Sequence, residues 1–153
     1  MTFGANHYVP ILKAKQGEKA ALSRVAGALV PRITPLLEII ERKDGKGIDA
    51  HIDTAFKGLR QAVSSYPRCF IDTHEVATDG PTAAQAVFGR AKADDIVFTP
   101  VTGVTRTVDV APALEHRDHG LALRLTRAEF EAGQLPSAIP AFLGTHDLSP
   151  GEV

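Results

Sequence analysis

The run Ile33-Thr34-Pro35-Leu36-Leu37-Glu38-Ile39-Ile40 is apolar, contains several β-branched side chains and carries a single carboxylate near its end. Its length and composition predict a buried strand. Because side chains alternate between the two faces of a strand, Glu38 lies on the same face as Leu36. The run therefore predicts a strand that ends with one charged group above an apolar layer.

Similar apolar runs occur at four other places, residues 8–12, 69–73, 96–101 and 121–125. Between the runs, apolar residues recur at the i, i+3, i+4, i+7 spacing of an amphipathic helix over residues 22–29, 52–59, 84–91 and, more weakly, 108–116. Pro112 lies in the last of these segments and is tolerated only in a first helical turn. This alternation predicts an α/β protein with repeated βα units, in which parallel strands are joined by right-handed crossovers.

Two architectures accommodate this alternation. About 150 residues can complete an open doubly wound sheet of five strands, whereas a (β/α)8 barrel needs at least about 200. Four charged residues favour the barrel, because each follows an apolar strand and shares a face with an apolar neighbour: Lys13, Glu38, Asp72 and Arg124. Charged side chains at the carboxyl ends of successive parallel strands are typical of a barrel mouth. We therefore predict an incomplete TIM-barrel-like domain with five strands present, and the open doubly wound sheet is the alternative.

These four residues, Lys13, Glu38, Asp72 and Arg124, are the candidate catalytic or binding residues. We expect Lys13 and Arg124 to hold an anion and one of the two carboxylates to transfer a proton. The alternative is a salt-bridged plug that closes the top of the barrel. The sequence leaves both interpretations open, and with them the question of whether the protein is an enzyme. Five side chains are predicted to face the barrel axis beneath the charges: Val9, Ile11, Leu36, Phe70 and Phe98.

Composition argues against several classes of partner. The chain has 153 residues, a net charge of −1 and one cysteine, and this charge gives no electrostatic support for binding nucleic acid or an anionic membrane. Residues 1–70 hold 11 basic against 6 acidic side chains, a mild asymmetry from which we predict no partner. Cys69 is expected to be an inert core thiol, and no apolar run approaches the roughly 18 residues of a transmembrane helix. We expect a cytoplasmic protein.

Motif analysis identifies no cofactor. Residues 102–105, Thr-Gly-Val-Thr, follow a predicted strand but lack the glycine spacing of a dinucleotide or phosphate loop. Asp72 and His74 face the same way if the strand continues, but two ligands do not make a metal site, and we assign no metal. Thr82 is expected to cap the helix after the turn at residues 79–81, and a short helix is expected near residues 139–143.

Several of these segments resemble the beta protein family of bacteria and large tailed phages. The resemblance rests on His7-Tyr-Val-Pro-Ile-Leu-Lys-Ala-Lys-Gln-Gly-Glu18 and Ile33-Thr-Pro-Leu-Leu-Glu-Ile39, and on the short matches at residues 70–72, 99–101 and 123–125. It implies a single domain with a barrel-like βα repeat that is longer than this chain, and it implies no particular reaction. We therefore expect residues 1–153 to form one βα-repeat domain, the N-terminal portion of a longer barrel, with a sixth strand beginning near the end of the chain.

Two functional hypotheses follow. In the first, the protein binds or acts on a small anionic ligand at the carboxyl ends of the strands. In the second, it is a non-catalytic phage or mobile-element accessory protein that acts through protein–protein contacts, and the charged residues are architectural. An unclosed barrel leaves unpaired backbone groups on its first and last strands, so we also expect homo-oligomers that form through open sheet edges.

Overall fold

The computed structural model describes residues 3–153. The strands are β1 (Ile11–Lys13), β2 (Leu36–Glu38), β3 (Cys69–Asp72), β4 (Phe98–Thr102) and β5 (Ala122–Leu123). The α-helices are α1 (Gln16–Leu22), α2 (Ile48–Phe56), α3 (Leu59–Val63), α4 (Pro81–Ala93), α5 (Val110–Glu115), α6 (Arg127–Glu131) and α7 (Leu135–Thr145). Two 3-10 helices cover Val30–Arg32 and His74–Asp79. All five predicted strands are confirmed; each contains fewer residues than its apolar run, and β1 and β4 each end one residue beyond theirs.

The five strands form one open sheet in which every neighbouring pair is parallel and the spatial order follows the chain, β1-β2-β3-β4-β5. This confirms the predicted α/β class and parallel βα repeat. The sheet is open, as the alternative architecture required, but double winding also requires a point where the strand order reverses, and this order has none. The sheet does not close into a barrel, because β1 and β5 are not paired with each other.

The helices cover one face of the sheet. Side chains of one parity, such as Leu37, Cys69 and Ile71, are fully buried in the hydrophobic core that the helices share with the sheet. Side chains of the opposite parity point to the other face of the sheet. On that face Ile11, Leu36 and Phe70 are register partners, and two residues further along the same strands Lys13, Glu38 and Asp72 are register partners. The predicted sharing of a face between each of these charges and its apolar neighbour is confirmed for the first three strands.

Phe98 was assigned to the wrong face. Its register partner is Cys69, and its ring stacks on Phe88 of α4 with centroids 5.9 Å apart, so it belongs to the helix-covered core. Thr99, which pairs with Phe70, occupies the face toward which Phe98 was predicted to point. The prediction failed because every residue of β4 is buried, and a strand buried on both faces offers no polar–apolar alternation from which to assign its faces.

The helix predicted at residues 22–29 was also wrong. Helix α1 ends at Leu22, and the residues that follow form turns in which Leu29 is 50% exposed, although the predicted apolar stripe required it to be buried. Gly27 lowers the helix propensity of that segment, and Pro31 follows it closely. The real helix begins earlier, at Gln16, in a segment whose apolar positions are too few to show a period.

The other helical predictions are confirmed with changed bounds. Residues 52–59 keep their buried apolar stripe, but Gly58, at φ +73°, separates α2 from α3 in a left-handed conformation that suits glycine. Pro112 lies in the first turn of α5, as its ring requires. The helix near residues 139–143 extends over the whole of α7. Thr82 does not cap α4: the helix begins at Pro81 after Gly80, with no side-chain cap.

The outer edge of β5 is partly covered. The backbone amide of Leu121 points away from β4 and donates to the carbonyl oxygen of Glu152 at 2.7 Å. The β5 edge was predicted to be open, but the C-terminal segment accepts a hydrogen bond from one of its outward-facing backbone amides. None of the helices in residues 3–153 has the length and hydropathy needed to cross a bilayer.

Candidate functional site

Asp72 is the centre of a buried cluster of charges at the carboxyl ends of the strands. Its side chain has no exposed surface, and its two carboxylate oxygens accept hydrogen bonds from two arginines and one backbone amide. Arg106 donates to Oδ1 at 2.7 Å and to Oδ2 at 3.3 Å. This bidentate arrangement fixes the plane of the guanidinium relative to the plane of the carboxylate. The amide of His74 adds a bond of 3.0 Å to Oδ1. Asp72 is thus anchored from both sides.

Arg124 joins three strands of the sheet. Its Nη1 donates to Glu38 Oε1 at 2.5 Å and to Asp72 Oδ2 at 2.8 Å, so a residue at the end of β5 contacts the ends of β2 and β3. In a flat sheet β2 and β5 would lie about 14 Å apart, three strand spacings. Their two long side chains extend over the ends of β3 and β4 and meet above Asp72, and a single cavity lined from Val9 to Arg124 indicates that this face of the sheet is concave.

Asp109 extends the cluster into the loop after β4. Its carboxylate accepts a hydrogen bond from Thr102 at 2.8 Å, one from Thr73 at 3.3 Å and one from Arg106 at 3.2 Å. Asp109 is buried, as are both threonines. The loop therefore supplies a second buried carboxylate and the arginine that bridges it to Asp72.

Gly103 makes this arrangement possible. A Cβ atom at that position would lie 3.0 Å from the backbone oxygen of Arg124 and 3.2 Å from Arg106 Cγ. Any larger residue would have to push the β5 backbone or the arginine side chain outward by a few tenths of an ångström. Residues 102–105, which lack the spacing of a phosphate loop, leave room for Arg106 to reach Asp72.

The environment favours the ionised forms of Asp72 and of the two arginines that bind it. Burial alone would raise the pKa of Asp72, but the hydrogen bonds and charges of Arg106 and Arg124 outweigh it and lower that pKa below its ordinary value. For Arg106, burial lowers the pKa and the carboxylates of Asp72 and Asp109 raise it, with a net rise. The pKa of Arg124 rises by the same balance, against Asp72 and Glu38. Asp72 is therefore a poor candidate for exchanging a proton near neutral pH.

Lys13 does not join this cluster. It is next to Glu38 in the β1–β2 register, but among residues 3–153 no carboxylate lies within ion-pair distance of its ammonium group. Its side chain is exposed and lines a different cavity, on the helix side of β1. Of the four predicted site residues, the structure brings Glu38, Asp72 and Arg124 into contact and places Lys13 beside them.

The concave face forms a cavity of about 700 Å³ beneath the charges. Val9, Leu36 and Phe70, three of the side chains predicted to face the barrel axis, line it together with Thr99 and Arg124. The Ile11 side chain, also predicted to face the axis, is 54% exposed on the edge strand. The cavity has the size of a small-molecule site, with an apolar floor and an arginine at its rim.

Sequence reasoning missed Arg106 and Asp109. They lie three residues apart in the loop that follows β4, at the same end of the sheet as the predicted charges. Their position after a strand was the available signal, but a loop has no fixed side-chain parity from which to predict direction. In residues 3–153 no three histidine, cysteine or acidic side chains are arranged to hold a metal ion, and His74 contacts Asp72 through its backbone amide.

Fold and site together define an α/β protein of sequential parallel βα units with an ion-paired cluster at the carboxyl ends of its strands. The sequence model of the Beta protein family matches residues 8–152, nearly the whole chain, and the chain therefore belongs to that family. The family resemblance drawn from the strand-end motifs is thus confirmed. No curated protein and no solved structure matches the chain.

Proposed function

We propose that the protein binds a small carboxylate- or phosphate-bearing molecule on the concave face of the sheet, with Arg124 as the anchoring group. One observation carries this proposal. Arg124 uses only Nη1 to contact Glu38 and Asp72, while its side chain remains 31% exposed at the rim of the cavity. Among the described residues its Nε and Nη2 have no hydrogen-bond partner. These two groups form a planar pair of donors suited to an oxyanion.

The ion pairs favour binding over acid–base chemistry. Asp72 accepts hydrogen bonds on both oxygens and has a lowered pKa, so it serves to hold the arginines in place. Arg106 pairs with Asp72 and Asp109, and Arg124 pairs with Glu38 and Asp72, so each guanidinium is held by two carboxylates. A guanidinium fixed by its partners loses less rotamer freedom when a ligand binds, which improves affinity.

The curvature supports a finer proposal, that the sheet is an arc of a β/α barrel wall and the cavity is part of the barrel interior. The sequential strand order and the contact of Arg124 with Glu38 across β3 and β4 support it. In this arrangement the ligand lies where enzymes and binding proteins with barrel folds carry their sites, at the carboxyl ends of the strands. This comparison concerns the location of the site and not its chemistry.

The test is a titration with malonate and a second titration with inorganic phosphate. Binding is measured by isothermal calorimetry and by the shift in the thermal midpoint of unfolding. We expect saturable binding of at least one probe, and its loss in Arg124→Gln. Arg127→Gln is the matched control, because Arg127 is 90% exposed on α6 and, within residues 3–153, pairs only with Glu131. Equal binding by Arg124→Gln and the wild-type protein, or no binding of either probe, would contradict the proposal.

A second candidate function is self-association through the β1 edge. Tyr8 is 63% exposed and Ile11 is 54% exposed beside the unpaired side of β1, an apolar edge of the kind that pairs with another chain. Sedimentation equilibrium should show a dimer that Ile11→Lys disrupts. The control is Phe130→Lys, since Phe130 is 65% exposed on α6. A wild-type monomer at all concentrations would exclude this candidate.

A further inference from the structure

The lysines of this chain are concentrated around one cavity. The sequence contains seven lysines, and six of them line a cavity of about 870 Å³ on the helix-covered side of the sheet: Lys13, Lys15, Lys19, Lys43, Lys46 and Lys57. They come from three segments: the end of β1 through α1, the loop after β2, and the turn after α2. The cavity is therefore a meeting point of cations that lie far apart in the chain.

Carboxylates offset only part of the charge of these lysines. Among residues 3–153, none of the six has a carboxylate within ion-pair distance, whereas Lys92, the seventh lysine, pairs with Asp118. Only two carboxylates, Glu41 and Glu75, line the cavity. A protein with a net charge of −1 thus carries one cavity with an excess of four positive charges.

The cavity has a fixed wall. Lys19 is buried and its Nζ donates to the backbone oxygens of Ala55 and Lys57, each at 2.8 Å, which closes the C-terminal turn of α2 against α1. Buried His51 holds the other side, with its Nε2 2.9 Å from the backbone oxygen of Ile40. The hydrogen bonds of Lys19 and His51 hold α1, α2 and the loop after β2 in fixed positions relative to one another. Lys46 donates to the hydroxyl oxygen of Thr54 at 2.7 Å, and within the described chain the other four ammonium groups make no hydrogen bond or ion pair.

The lining indicates the chemistry of the ligand. Lysine presents a compact point charge that suits phosphoryl oxygens, and no arginine lines the cavity to select a planar carboxylate. Apart from the His51 imidazole, no aromatic side chain of the described residues lines it, so a nucleobase would have no stacking surface. The volume lies within the range of about 300–1,000 Å³ found for small-molecule sites.

We propose that this lysine cavity binds a small molecule that carries several phosphoryl groups and no base, at a site separate from the Arg124 rim. Lysines on three sides of the cavity require a ligand with more than one charge along its length. Such a ligand also relieves the mutual repulsion of the lysines. It is therefore expected to raise the thermal stability of the protein as it binds.

Tripolyphosphate is the probe, measured by isothermal calorimetry and by the thermal midpoint at about 0.02 M and about 0.5 M salt. The test variant is Lys15→Gln/Lys43→Gln/Lys57→Gln, which takes one lysine from each segment; none of these three ammonium groups makes a hydrogen bond or ion pair within the described chain. The control variant removes the same charge elsewhere, Arg32→Gln/Lys92→Gln/Arg117→Gln. Without ligand, the test variant should be at least as stable as the wild-type protein at low salt.

The expected result is saturable binding to the wild-type protein that weakens with salt, falls at least about tenfold in the test variant and persists in the control variant. Tripolyphosphate should also bind to Arg124→Gln. A wrong proposal for the anion site at Arg124 can therefore be told apart from a wrong proposal for the lysine cavity. Absence of binding to the wild-type protein, or equal weakening in the two triple variants, would overturn the proposal. Binding of inorganic phosphate as tight as that of tripolyphosphate, or tighter binding of a single-stranded oligonucleotide or an acidic peptide, would overturn the ligand class.

Discussion

Asp72→Asn tests the role of the charged cluster with almost no change in side-chain shape. Asparagine keeps one acceptor oxygen but replaces the other with an NH₂ group, which faces the N–H groups of two arginines that the carboxylate now binds. Arg106 and Arg124 would then be held near a neutral group in a buried site. Removing one partner of a buried ion pair costs about 3–5 kcal/mol.

That loss is large for a domain of this size, whose total stability is about 5–15 kcal/mol. At about 2–4 °C per kcal/mol, the thermal midpoint should fall by roughly 6–20 °C. The assay is urea unfolding at neutral pH, followed by circular dichroism, with the thermal midpoint as a second measure. The control is Asp118→Asn, because Asp118 lies on the surface and its only ion-pair partner in the described part of the chain is Lys92; this variant should unfold close to the wild-type midpoint.

The stability difference between the wild-type protein and Asp72→Asn should also depend on pH. The pKa of Asp72 is lower in the folded protein than its ordinary value of 3.8, so its stabilising contribution is complete above that value and disappears as the pH falls through the folded pKa. The difference between the wild-type protein and Asp72→Asn should therefore be constant near neutral pH and shrink in acid. A loss below about 1 kcal/mol at neutral pH, typical of an exposed pair, would refute the reasoning, and so would a difference that persists at low pH.

Three further predictions concern positions outside the carboxylates. Cys69 should not react with a thiol reagent at pH 8 until the protein unfolds, because burial raises its pKa to about 12; prompt labelling of the native protein would contradict this. Gly103→Ala should destabilise the protein by about 1–3 kcal/mol in urea unfolding, because the new Cβ would meet the backbone oxygen of Arg124 at 3.0 Å, whereas the same change at Gly17, where nothing lies within 4 Å, should not. Lys19→Met should cost about 1–3 kcal/mol through the loss of two hydrogen bonds to α2, and an unchanged unfolding midpoint would show that these bonds do not hold the helix.

The strands and the candidate site could be predicted because both depend on local pattern. Apolar runs located all five strands, and alternation within β2 and β3 put Glu38 and Asp72 on one face. Parallel βα units then bring such side chains to the same end of the sheet. Glu38 and Arg124 were therefore placed together although 86 positions separate them.

The errors have physical causes of their own. Phe98 lies in a strand buried on both faces, where alternation disappears. The apolar spacing of residues 22–29 mimics a helix over only two turns, and glycine and proline prevent one from forming. The capping box of α6 was overlooked although its sequence signature, Thr126 followed by Glu129, is visible.

The lysine cavity was out of reach for a different reason. Its lysines are scattered over residues 13–57, and in the sequence they amount only to a mild basic excess. Their convergence depends on how α1 packs beside α2 and α3 and on the course of the loop after β2. The path of such a loop depends on tertiary contacts, and the local periodicity of apolar residues in the sequence does not predict it.

The central claim is that distant strand ends meet in a cluster that stabilises the fold, and a double-mutant cycle between Glu38 and Arg124 tests it most directly. The free energies of unfolding of Glu38→Gln, Arg124→Gln and the double variant are compared with that of the wild-type protein. The contact at 2.5 Å predicts a coupling energy of about 0.5–3 kcal/mol. Additivity of the two single changes to within about 0.3 kcal/mol would mean that the two side chains do not interact, and it would contradict the account.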